Sequence, residues 1–283
     1  MKKIFYTFFL LLGVGLFAEA KVEKKEVNVT TPILEKVEVE VPKEEVKKVI
    51  SATRGDIKVI EASEDIRYLS QKMVKDYLFF YKNQDKPEVK RGLDRALVKL
   101  TDDFRIIAAT TKDTDTKDIL EFLAYSKDQI EEIFNEKADK ERAALMLDYS
   151  ETLLEGADSI ANAHKYDFSD EEKMLMVTKE MEYLLERITK YYMAIHVGFN
   201  NATNKEQMQD SITDLEENIA QINSYTYPAE FQQIQSKMNE SWKANKSFFD
   251  QSETLFIPKL MLASINYMED VMIQIALHHS KNQ

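Results

Sequence analysis

Residues 66–81, IRYLSQKMVKDYLFFY, decide the fold. Ile66, Leu69, Met73, Tyr77 and Phe80 recur at helical spacing, the pattern of a helix with one buried stripe. Beside the stripe, Arg67, Ser70, Gln71 and Lys72 set several hydrogen-bond donors on an adjacent face. The stripe returns at an offset of 115 residues as Met181, Leu184, Ile188, Tyr192 and Ile195. Three of these donors do not return: Arg67, Ser70 and Gln71 become Glu182, Leu185 and Glu186. The stripe is a requirement of the fold, and the polar cluster belongs to the first copy alone.

The same offset aligns the two halves without gaps. Lys75 and Tyr77 fall on Lys190 and Tyr192, Leu100 and Ile107 on Leu215 and Ile222, Phe134 on Phe249, Met146 on Met261, and His164 on His279. An ungapped register over a whole unit indicates internal duplication. Helix-breaking stretches divide each copy: NQDKPE, TTKDTDTKD and NEKADK in the first, NNATNKE, YTYPAE and DQSET in the second, with HKYDFSDEE between them. Each unit therefore has four helices joined by short turns, which makes antiparallel neighbours. The expected fold is all-α, two tandem antiparallel four-helix bundles at 59–165 and 169–281. Ser169 and Ser252 are expected N-caps. Pro258 predicts a kink or a late helix start.

The chain before the bundles reads differently. Residues 1–20 combine Lys2 and Lys3, an apolar run and an Ala18-Glu19-Ala20 cleavage site, as in a secretory signal peptide. With no later uncharged apolar span, the expected location is the periplasm. Residues 21–58 alternate Val with Lys and Glu and lack aromatic residues. Such a segment cannot bury enough apolar surface to offset its chain entropy, so a charged, flexible linker is expected.

Composition excludes several function classes. The formal charge of −12 argues against nucleic acid or an anionic lipid surface as partner. The absence of cysteine removes disulfides, thiolate metal sites and cysteine nucleophiles. None of His164, His196, His278 and His279 lies in an E-x-x-H pattern, so no metal site is expected, and helix-end roles fit them better. Trp242 is read as a pin in the second bundle, and the tyrosines as core-edge residues with wet hydroxyls. With no nucleophile–base pair, phosphate loop or paired-carboxylate site, no cofactor and no enzymatic activity are expected.

The stretch SEDIRYLSQKMVKDYL resembles the first-helix motif of PilJ-type sensory domains, found in type IV pilus chemotaxis transducers. The same domain type forms the nitrate- and nitrite-sensing part of NarX-like histidine kinases. Arg67, Leu69, Ser70, Gln71 and Met73 match the motif, whereas Ser63-Glu64-Asp65 depart from it. YSETLLEGADSIANA resembles the last helix of the family. The resemblance implies a non-enzymatic sensory protein that binds a small anion such as nitrate or nitrite through Arg67, Ser70 and Gln71. It also implies a homodimer through the first bundle, and a membrane sensor or chemoreceptor as partner. If the two units pair with each other instead, the repeat sets Arg67 against Glu182, and Glu64 and Asp65 are near enough along the helix to partner it themselves. The other reading is a structural adaptor of a cell-envelope complex with no small ligand.

Overall fold

The computed structural model describes residues 53–282. The expected signal peptide and most of the expected linker lie outside them. The described chain is all-α: α1 (Arg54–Lys82), α2 (Pro87–Thr110), α3 (Thr114–Asn135), α4 (Lys140–Ala163), α5 (Asp170–Val197), α6 (Ala202–Ser224), α7 (Gln232–Phe249) and α8 (Pro258–Lys281), with one 3-10 turn at Ala229–Phe231. No strand occurs among the described residues.

The helix boundaries follow local chemistry. α1 begins before residue 59, so residues 54–58 belong to the helix and not to the linker. A capping box causes this: the Thr53 hydroxyl accepts the Asp56 N–H, and the Asp56 carboxylate accepts the Thr53 N–H. Ser169 caps α5 in the same way with Glu172. Ser252 caps nothing, because α8 starts only at Pro258. Proline is tolerated at that first helical position, where its missing N–H has no partner to lose. The late start, not a kink, is what Pro258 produces.

α1 packs against α2, α4 and α5, and α5 against α1, α6 and α8, while α3 joins α2 to α4 and α7 joins α6 to α8. One apolar cluster draws residues from all eight helices. Equivalent positions make equivalent contacts in it. Tyr77 stacks on Phe134 with ring centroids 6.1 Å apart, and Tyr192 meets Phe249 edge-on at 6.0 Å. The Tyr192 hydroxyl is not wet: it donates to the Leu255 carbonyl and accepts the Ile257 N–H, each at 3.0 Å. Trp242 is buried and donates to Glu216 at 3.2 Å. α3 and α4 approach closely where Gly156 faces Leu123; a Cβ there would lie 2.5 Å from a Leu123 methyl.

A pair of hydrogen-bonded clasps closes one end of the molecule. His164, at the end of α4, places Nδ1 2.9 Å from Asp56 in the first turn of α1. Its Nε2 lies 3.2 Å from the Thr116 hydroxyl and 3.3 Å from that of Thr111. His279, near the end of α8, places Nδ1 2.6 Å from Glu171 in the first turn of α5, and Nε2 2.8 Å from the Tyr227 hydroxyl. In both, a carboxylate at a helix start and hydroxyls near an interhelical turn hold the imidazole between them. The equivalent histidines therefore bind helix ends together, beyond capping their own.

Candidate functional site

A helix with one apolar stripe should expose its other faces. α1 and α5 do not, because they pack on each other as well as on their own neighbours. Ser63, Glu64, Ser70, Gln71 and Lys75 of α1 are buried, as are Thr178, Glu182, Glu186, Thr189 and Lys190 of α5. Burying polar groups costs free energy unless each finds a partner. The seam between α1 and α5 is accordingly organised by ion pairs.

Lys72 and Lys75 converge on the fully buried Glu186, at 3.1 Å and 2.7 Å. Glu269 of α8 adjoins this group and accepts a hydrogen bond from the Tyr68 hydroxyl at 3.0 Å. The charge of the neighbouring Glu186 adds to burial in raising the pKa of the Glu269 carboxyl. At the positions equivalent to Lys72 and Lys75, Arg187 and Lys190 converge on a different carboxylate, Glu151 of α4. Lys190 is wholly buried, which pulls its pKa down to about 8 despite the opposing charge of Glu151.

Arg67 sits at the other side of the seam and lines a cleft of about 440 Å3 between α1, α4 and α5. Its guanidinium is closely held. Nη1 donates to Glu64 at 2.7 Å, Nε makes an ion-pair contact with Asp158 at 2.6 Å, and the plane lies 4.1 Å over the centre of the Tyr183 ring. Nη2 is 3.9 Å from Glu180, beyond hydrogen-bond distance. Burial alone would lower the Arg67 pKa; the Glu64 and Asp158 carboxylates outweigh it and raise it further. Burial raises the pKa of Glu64 despite the adjacent guanidinium. The lining includes Lys165, Glu180, Phe168 and Met176.

Of the three residues expected to bind a ligand, only Arg67 lines the cleft. The Ser70 hydroxyl donates to the Arg67 carbonyl at 2.7 Å, and the Gln71 amide donates to Ser70 at 2.9 Å and to the Ser150 carbonyl at 3.4 Å. Both are buried in the seam. Of the carboxylates anticipated for Arg67, Glu64 pairs with it and the other two do not. Glu182 pairs with Lys179 at 2.9 Å, and Asp65 with Lys99 at 2.6 Å. Asp158 and Glu180 were missed because they lie far from the motif in sequence. The offset of 115 carries a signal for Asp158, which falls on Ile273. A charge in one copy and an apolar residue in the other marks a position that the fold does not dictate.

Among the described residues no group of three His, Asp or Glu side chains is placed to hold a metal ion. Comparison of the chain with protein-family models, curated proteins and solved structures gives no match.

Proposed function

We propose that this chain is an exported, periplasmic, non-enzymatic protein built from two tandem antiparallel four-helix bundles of the PilJ/NarX sensory type. It binds a small ligand through an anionic group at Arg67 and acts through a partner protein. The duplicated architecture draws support from the matching His clasps and Tyr–Phe contacts at positions 115 apart. The observation that carries the ligand reading is the placement of Arg67 in a cleft formed by α1, α4 and α5. Those helices come from both halves, so a ligand there contacts both. Its binding then favours whichever packing of the halves the ligand fits better, which is what a sensory domain requires.

The carboxylates around Arg67 favour a second reading. Glu64 and Asp158 already neutralise the guanidinium, as in a structural ion pair. On that reading the chain is a rigid adaptor in a cell-envelope complex. Thermal unfolding with a panel of nitrate, nitrite, sulfate, simple carboxylates and amino acids separates the two. A rise in Tm with any of them that is lost in Arg67→Ala supports ligand binding. No rise with the whole panel at millimolar concentration leaves the adaptor reading.

A further inference from the structure

We infer that the Arg67 cleft selects a small zwitterion, a molecule with a carboxylate and an ammonium on one compact apolar body, as in an α-amino acid. The inference rests on the ligand-binding reading above and specifies its ligand class. The cleft offers separate hydrogen-bonding groups of both signs. On the donor side, Nη2 of Arg67 has no acceptor within hydrogen-bond distance among the described residues, and the exposed Lys165 also lines the cleft. A planar carboxylate matches the guanidinium fork. On the acceptor side, Asp158 gives only Oδ1 to Arg67 and Glu180 is more than a hydrogen bond away from it. Among the described residues the remaining carboxylate oxygens have no hydrogen-bond partner, and on side chains about two-fifths exposed they are open to an ammonium group. Phe168 and Met176 add apolar surface to the lining. The volume of about 440 Å3 falls in the range of small-molecule sites.

Charge balance disfavours the simpler ligands. Glu64, Asp158 and Glu180 outnumber Arg67 and Lys165 in the lining, so a bare anion enters a site that is already net negative. A bare amine meets Nη2 and Lys165 directly. A molecule carrying both groups satisfies both sides.

The repeat supplies an internal control. At the equivalent positions Arg67 becomes Glu182, Glu64 becomes Lys179 and Asp158 becomes Ile273. The second half folds without this constellation, so folding alone does not require it in the first.

The test is calorimetric titration and thermal unfolding of the chain from Lys21 onward. Alanine and leucine are the zwitterionic probes, ethylamine the ammonium-only probe, and acetate and nitrate the anion-only probes. Alanine or leucine is expected to raise Tm by a few degrees, with ethylamine, acetate and nitrate without effect. Arg67→Ala removes the effect, but its loss could reflect damaged folding. Glu180→Gln and Lys165→Ala alter rim residues only. Each is expected to leave the free protein's Tm unchanged and to weaken binding about tenfold, the effect of one charge-assisted bond. Acetate or nitrate binding as well as alanine, with Glu180→Gln silent, overturns the zwitterion inference and leaves the anionic-group reading standing. Ethylamine binding as well as alanine, with Lys165→Ala silent, overturns both. No binding of any probe also overturns both.

Discussion

Replacing Glu269 by glutamine should remove a pH dependence that the seam builds into the protein. Burial, and then the charge of Glu186, pushes the Glu269 carboxyl up to about 8. Glu186 is buried as well, but the ammonium groups of Lys75 and Lys72 overcome burial and hold it down at about 2. The pair thus keeps one proton between those two values. In the unfolded chain both groups lose their protons near the ordinary value of 4.5. Below that value the unfolded state holds more protons, and the pair's contribution to stability rises with pH. Between about 4.5 and about 8 the folded state holds more, and the contribution falls as pH rises. The slope approaches about 1.4 kcal/mol per pH unit and eases toward pH 8, which amounts to about 2 kcal/mol between roughly pH 5.5 and 7.5. Glutamine keeps the shape of the side chain and can still accept from Tyr68, but it carries no titrating proton. Urea unfolding of both proteins across this interval reads the difference directly. The stability of Glu269→Gln relative to the parent should climb by that amount as pH rises. Parallel profiles would show that the proton does not reside in the pair.

Three further perturbations test other parts of the structure. Gly156→Ala forces a methyl against the Leu123 side chain and should cost about 1–3 kcal/mol by chemical denaturation, as overpacking does. An unchanged midpoint would mean that α3 and α4 can separate freely. His279→Ala strips Glu171 and the buried Tyr227 hydroxyl of their shared partner, so it should lower stability by about 1–3 kcal/mol, whereas His278→Ala should do so less. Arg67→Met leaves Glu64 buried without its cation and should cost about 3–5 kcal/mol near neutral pH. That loss should shrink on acidification, because the carboxyl already raised by burial becomes neutral. A pH-independent loss would assign the effect to packing instead.

The legible part of the fold was its periodicity. The stripe at Ile66, Leu69, Met73 and Tyr77 and its copy from Met181 to Ile195 are buried, because an apolar side chain at helical spacing has nowhere better to go. The turns fell where Pro, Asn and Asp oppose helix. The start of α1 was misplaced because RGDIK looks like linker by composition, while the Thr53–Asp56 capping box acts through two specific hydrogen bonds. The fate of Ser70 and Gln71 was not legible from either copy alone. Their burial depends on α1 packing against α4 and α5, and the Gln71 amide reaches the carbonyl of Ser150 on α4, far away in the sequence. The partners of Arg67 divide in the same way: Glu64 is local and was visible, whereas Asp158 and Glu180 arrive through tertiary packing.

The histidine clasps have a mechanical consequence. His164 ties the end of α4 to the start of α1, His279 ties the end of α8 to the start of α5, and only the short segment 164–169 separates α4 from α5. The two extremities of the described helices therefore gather at one pole. A load applied between Thr53 and Lys281 meets the two imidazole–carboxylate contacts at that pole, together with the packing of α1 on α5 and of α5 on α8. The opposite pole, formed by the α1–α2, α3–α4, α5–α6 and α7–α8 turns, stays out of the force path.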